Sequence, residues 1–403
     1  MARSSGWPRW CEPMARYDRI APLDSPPRDR AFDAWTVLRD LAGRERDVDL
    51  GRRARLRFLA LRPVRRLVQR GIENVPAESF DRQIEGVREE LGQLPARDPE
   101  RIRMAQYLHR IRKRTPLALT TATLDLGEVA EASRHFGAAE EFYRTALELA
   151  DAYNLAPEQV IALRLLGRVF RKVGAWEEAE RSYQRAAEIA LHLDDRRQWG
   201  RALDGLGLAL RHQKRVDRAR QLYETMLERG REWDDEAITA QALNGLCLVA
   251  LDAGDAEQAL EHGWAALGLL TDPEDRYQVL GTLGEIFLLA GIPRAADRCL
   301  ELAATGARRP HTRAQALLHR ARLASDEGRA DAASDHLREA IRLAKEHRYA
   351  DVLGRAEELL VRLEREAAGV AGGAVARGHP GAVARRIATE LESLGERLVP
   401  AAS

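Results

Sequence analysis

The stretch LGRVFRKVGAWEEAERSYQRAAEIA, Leu166–Ala190, decides the architecture. It reads as two helices joined at Gly174, the first carrying Leu166-Gly167 and Phe170, the second Ala179 and, one turn on, Tyr183. Side chains three and four apart share a helix face, so both halves are amphipathic at helical period. The second-helix motif recurs as HFGAAEEFYRTAL, AWEEAERSYQRAA, RVDRARQLYETML, DAEQALEHGWAAL, IPRAADRCLELAA and RADAASDHLREAI. Its small residue falls at Ala139, Ala179, Ala219, Ala259, Ala296 and Ala333, at spacings of 40, 40, 40, 37 and 37. A first helix precedes each copy, with Leu-Gly at Leu126-Gly127, Leu166-Gly167, Leu206-Gly207 and Leu283-Gly284, and Leu246-Cys247 in the fourth. Rings follow the small alanine at Tyr143, Tyr183 and Tyr223; Gly263, Leu300 and Leu337 replace them later. The turn glycine stands at Gly174, Gly254, Gly291 and Gly328, with Arg134 and Lys214 in its place in the first and third copies. Small residues belong where two helices cross closely, and the large neighbour fills the space they leave. No single copy can bury its apolar face, so neighbours must stack.

This pattern resembles the tetratricopeptide repeat, Leu-Gly-x-x-Tyr then Ala-x-x-x-Phe on two antiparallel helices, in a long-repeat version of the bacterial type. The usual period is about 34 residues; here LELADAYNLAPEQ and AEIALHLDDRRQ are expected to lengthen the second helix by a turn or more. The resemblance implies an all-α, right-handed superhelical solenoid. The expected organisation is a disordered N-terminus over 1–29, a basic helical region over 30–116, six repeats over 117–346, a capping helix over 347–367, and a linker with a short helix over 368–403. The N-terminal helices are expected at 30–42, 50–70 with a break near Pro63, 78–94 and 98–113. None aligns with the repeat motif, so they are either degenerate pairs packed on the front of the solenoid or a small separate domain.

Composition agrees with helices. Aromatic residues are only 5% of the chain, and Ala, Leu, Arg and Glu dominate. Only four of the 64 Lys+Arg are lysine (Lys113, Lys172, Lys214, Lys345), so arginine abundance by itself says little about phosphate. Residues 1–116 hold 26 Lys+Arg against 17 Asp+Glu, a net of +9; the remainder holds 38 against 46, a net of −8. Cys11, Cys247 and Cys299 form no CxxC pair and no metal-spaced cluster, and the last two sit at packing positions. No signal-peptide stretch and no apolar run of membrane length occurs, so a cytoplasmic protein without a membrane span is expected.

The resemblance implies a groove lined by first helices. In the second copy it offers Ile161, Arg164, Arg168, Arg171 and Lys172; in the third Arg201, Asp204, Leu208, Arg211 and His212; in the fourth Gln241, Asn244, Leu248, Leu251 and Asp252; in the fifth Gln278, Gly281, Glu285, Leu288 and Leu289. A groove basic at its front and more apolar behind points to a protein or peptide ligand with acidic character or a free carboxylate. Leu124 and Glu128 do not match the lysine and asparagine with which chaperone cofactors of this family hold a carboxylate tail. The alternative is nucleic acid, met by the arginine-rich stretch Arg52–Arg70 through Arg52, Arg53, Arg55, Arg65 and Arg66, with Arg112–Arg114 nearby. Its bland counterpart has those arginines solvated or paired with acidic repeats. Catalysis finds no footing: there is no GxxxxGK, HExxH or GxSxG, and GLGLAL at Gly205–Leu210 lies inside a repeat helix. Glu140-Glu141 and Glu177-Glu178 read as solvated faces. The expectation is a non-enzymatic scaffold with no cofactor and no metal, its oligomeric state open.

Overall fold

The structure, a computed structural model, describes residues 48–347, 349–367 and 380–394. The expected disordered terminus, the helix at 30–42, Cys11, most of the linker and the side chain of Arg52 lie outside the described residues. The described residues form seventeen helices and no strand. They run α1 Val48–Arg70, α2 Ala77–Leu91, α3 Pro99–Ile111, α4 Pro116–Ala132, α5 Phe136–Ala152, α6 Ala156–Val173, α7 Trp176–His192, α8 Arg196–His212, α9 Val216–Glu232, α10 Glu236–Asp252, α11 Ala256–Leu269, α12 Pro273–Leu289, α13 Pro293–Gly306, α14 Pro310–Asp326, α15 Ala330–Glu346, α16 Ala350–Ala367 and α17 Ala382–Leu394. The fold is an all-α, tetratricopeptide-like solenoid in which consecutive helices pack on one another. Two compact units divide between Ala209 and Leu210, inside α8.

In the first unit, α4 packs on α5 and α6 on α7, each a pair from the repeat. The shared alanines Ala139 and Ala179 and the rings Tyr143 and Tyr183 are buried. In the second unit α10–α11, α12–α13 and α14–α15 do the same, with Ala219, Ala259, Ala296 and Ala333 buried to the last atom. Tyr183 shows why glycine is required twice over. A Cβ on Gly167 would come within 2.9 Å of its ring, and one on Gly205 within 2.4 Å. The ring is therefore clasped between its own first helix and the next. Tyr223 repeats the contact in the second unit, 2.2 Å from where Gly245 would carry a Cβ.

The period change has a local cause. Second helices α5, α7 and α9 are 17 residues long and end in left-handed residues Asn154, Asp194 and Asp234. By contrast, α11 and α13 are 14 residues long and leave through extended Leu270 and Ala307 into prolines that open the next helix. Three residues, almost one turn, are lost from the end of the second helix. Turns after first helices are uniform: Gly174 has φ +78°, and Arg134 and Lys214 hold φ 59° and 61° in the same place. There the left-handed backbone is kept although the side chain resists it.

Pro63 does not break α1, contrary to the expected interruption. Leu56, Ala60, Leu61, Val64 and Leu67 are buried on both sides of it, and this packing outweighs the one lost backbone hydrogen bond. The N-terminal helices pack on the repeats, α1 against α5 and α3 against α4. Tyr153 Oη accepts from the Ile72 amide at 3.0 Å, and the Tyr107 hydroxyl donates to the Ala60 carbonyl at 3.1 Å. In the second unit α16 packs on α15 and α14, burying Val352, Ala356 and Leu359. Beyond it α17 lies along α11, burying Ala384, Ile387 and Leu391. The Glu257 carboxylate accepts the Val383 and Ala384 amides at 2.9 and 3.2 Å, and Trp264 Nε1 donates to Glu390 at 2.8 Å.

Candidate functional site

One stripe recurs on the first helices. Ile161, Arg164, Arg168 and Arg171 of α6 are half-buried, while the residues between them are buried. Arg201, Asp204, Leu208 and Arg211 of α8 follow the same rhythm, as do Gln241, Asn244, Leu248 and Leu251 of α10. The period comes from apolar side chains packing to either side, which leaves one edge of each first helix only partly covered.

Within the first unit these stripes touch one another. Arg168 Nη2 donates to Glu131 Oε2 at 2.7 Å, and Lys172 Nζ to Glu131 Oε1 at 2.8 Å. The Tyr143 hydroxyl donates to the same carboxylate at 2.8 Å. Glu131 is 4% exposed. Burial pushes its carboxyl up, but the hydrogen bonds and charges of Arg168 and Lys172 outweigh that and hold it below its ordinary value. Two of the cations expected in the groove are therefore committed to a buried acid. Arg164 is placed differently. Its Nε donates to Gln198 Oε1 at 3.1 Å, a neutral acceptor, and burial together with the charges of Arg168 and Arg201 pushes the guanidinium below its usual value. In the second unit Arg211 Nε donates to Asp252 Oδ2 at 2.7 Å, and Gln241 and Asn244 stay half-buried on α10.

The tetratricopeptide repeat profile matches residues 118–192 and 314–347. The chain carries tetratricopeptide repeats. No curated protein matches it in sequence. Among solved structures, these repeats are similar to the apo form of RapI, at 13% identity over 79% of this chain and 100% of that one, with a TM-score of 0.48. The Rap conjugation gene regulator of plasmid pLS20 in complex with the Phr* peptide gives 14%, 79%, 98% and 0.47 in the same order. PilF of Pseudomonas aeruginosa gives 24%, 56%, 91% and 0.40.

The arginines of the nucleic-acid alternative are paired mostly within the N-terminal helices, while Arg65 reaches a repeat helix. Arg53 pairs with Asp98 at 2.7 Å and Glu100 at 3.0 Å, and its hydrogen bond holds the Asp98 carboxyl down to about 2. Arg55 meets Glu90 at 2.9 Å, Arg65 meets Glu141 at 2.6 Å, and Arg66 donates to Ser79 Oγ at 3.1 Å. Arg57, unremarked in the sequence, is 3% exposed and donates to Glu100 at 2.6 Å. Arg112 pairs with Glu85, and Arg114 caps the Ile72 and Val75 carbonyls. Glu141 is not on a solvated face as expected: α1 covers it through Arg65, and burial pushes its carboxyl up.

Sequence reading also missed Glu131, the last of three acids (Asp125, Glu128, Glu131) in the otherwise apolar helix PLALTTATLDLGEVAEA and the one of them that is buried. The register of α16 went unread as well. Counted from the residue that opens each helix, Leu155 or Tyr349, Arg355, Glu358 and Arg362 take the places of Ile161, Arg164 and Arg168. The two openings are alike: Leu155 and Tyr349 donate to Ala150 and Ala344 carbonyls at 2.9 and 2.8 Å. Among the described residues no group of His, Cys, Asp and Glu is placed to hold a metal, and no helix is long and apolar enough to cross a membrane.

Proposed function

We propose that the chain is a non-enzymatic scaffold that binds an acidic segment of a protein or peptide along the first-helix stripe of its first unit. In this reading it works as an adaptor in a bacterial cytoplasm. The observation that carries the reading is Arg164, half-buried, hydrogen-bonded to a neutral amide and crowded by Arg168 and Arg201. A half-buried cation with like neighbours is favoured further when an anion joins it, and a carboxylate laid on the stripe supplies one. Rigid helices hold these side chains in advance, so little ordering is needed on this side of the complex. The N-terminal arginines support nucleic acid less well, because Arg53, Arg55 and Arg65 already face carboxylates.

The test is fluorescence anisotropy with labelled Asp/Glu-rich peptides, Lys-rich peptides and duplex DNA, using the full chain and Arg164→Glu. Arg168 is unsuitable because reversing it also disturbs Glu131. Acidic peptides should bind in a salt-sensitive way and lose roughly tenfold or more with Arg164→Glu, the scale of one charge-assisted hydrogen bond. Unchanged affinity in the variant removes the stripe from consideration, and tighter binding to DNA than to any peptide returns the N-terminal helices to first place.

A further inference from the structure

We infer that the second unit holds a separate binding site, a cationic pocket between α14 and α16 that takes a small organic dianion, either a phosphate monoester or a dicarboxylate. The cavity measures about 300 Å³, the size of a metabolite rather than of a folded partner. Leu318, His319 and Arg322 line it from α14; Arg355, Glu358, Leu359 and Arg362 line it from α16.

The charge arrangement makes the case. Arg322 and Arg355 face the cavity without a hydrogen bond or ion pair to any described residue, while their positive charge is felt by His319 beneath them. By contrast, Arg53, Arg57, Arg65, Arg168 and Arg211 each reach a carboxylate. Two guanidiniums turned toward one cavity repel each other, and a ligand with two negative charges removes that cost where a single charge removes only part of it. Arg362 completes the group, its Nη2 set by Ser325 Oγ at 3.1 Å and Asp326 at 3.3 Å.

The floor and rim narrow the ligand further. His319 is 5% exposed and lies 3.6 Å from Glu285 of α12. Burial, with Arg355 and Arg322 acting against Glu285, pushes the imidazole below its ordinary value, and its ring nitrogens can offer a ligand a hydrogen bond. Leu318 and Leu359, buried beside it, give the organic part of a ligand an apolar wall. Glu358 sets a negative charge in the lining, which disfavours a long polyanion while leaving room for a compact one.

Isothermal titration of the full chain at low salt with n-butyl phosphate, succinate and acetate tests this, beside Arg322→Gln, Arg355→Ala and the first-unit control Arg164→Glu. Saturable one-site binding of n-butyl phosphate or succinate is expected, with acetate much weaker; the tighter of the two names the ligand class. Each pocket variant should weaken it roughly ten- to a hundredfold, as loss of a charge-assisted contact does, and Arg164→Glu should leave it unchanged. Arg355 is exposed, so Arg355→Ala keeps the test decisive if Arg322→Gln does not fold. Absence of saturable binding, binding indifferent to Arg355→Ala, or binding lost equally with Arg164→Glu would each overturn the site. Capture of acidic peptides without either free dianion would overturn it as well. Because Arg164→Glu and Arg355→Ala probe different residues, this site and the peptide stripe stand or fall separately.

Discussion

Replacing Glu131 by glutamine removes one negative charge at nearly constant volume, from a carboxylate that is 4% exposed and accepts from Arg168, Lys172 and Tyr143. No cavity forms, so the loss is electrostatic. The new amide must also turn its NH₂ toward one of the three donors. Breaking a fully buried ion pair costs about 3–5 kcal/mol when the remaining charge is stranded. Here the Arg168 and Lys172 side chains are 32% and 39% exposed and can turn toward water, so the cost falls to about 2 kcal/mol. For a unit of this size that is roughly 4–8 °C in melting temperature. Acid supplies an independent check. Because Glu131 is held below its ordinary value in the fold, its contribution is complete above the unfolded carboxyl pKa of about 4.3 and is lost as pH falls through the lower folded value. Thermal melts of wild type and Glu131→Gln should therefore run parallel near neutrality and converge in acid. A neutral-pH gap below about 0.5 kcal/mol, on the scale of an exposed pair, or a gap that persists to the acid limit, would refute the buried-acid argument.

Three more outcomes follow from the packing. Gly205→Ala and Gly245→Ala should each destabilise by about 1–3 kcal/mol in chemical denaturation, because the new Cβ strikes a tyrosine ring; Gly86→Ala, which meets nothing, should stabilise by about 0.5–1 kcal/mol. Lys214→Gly should gain about 0.5 kcal/mol, since it relieves left-handed strain at φ 61° while adding chain entropy to the unfolded state; a loss of stability there would show the lysine side chain to matter more than the backbone. Cys247 and Cys299, whose thiols burial pushes up to about 12, should resist alkylation at pH 8 and react only at the rate of unfolding, as read by peptide mass spectrometry.

Repeat geometry was readable because its signals are local and periodic. Ala179 and Tyr183 lie one turn apart, and Gly167 sits in the helix just before them, so the small–large pair shows within thirty residues of text. The partner of Gly205 is as near in sequence but falls across the boundary between two copies. Tyr183 lies on the helix just before but belongs to a different copy, and the reading of GLGLAL as a helix segment left the reason for its glycine hidden. Arg134 and Lys214 looked like departures from the turn, yet the backbone conformation belongs to the helix ends and persists at the expense of strain. Charge was the hardest to read. A list of groove arginines cannot tell Arg164 from Arg168, because the difference is Glu131, thirty-seven residues away from Arg168 on the neighbouring first helix. Pro63 failed as a breaker for the opposite reason, since five buried neighbours outvote one missing donor.

The docked helix α17 changes how the second unit can be made. Most of the side-chain contacts between neighbouring helices join residues some forty positions apart or fewer, so repeats can take shape as they leave the ribosome. Trp264 and Glu390 are 126 residues apart, as are Glu257 and Val383. The outer face of α11 therefore waits, uncovered, for some two repeats and α16 to be synthesised before its partner exists. This long-range closure raises the contact order of the second unit and slows its last step. Translation that stops after α16 would leave a finished repeat array with an exposed tryptophan, a species open to aggregation and to quality control.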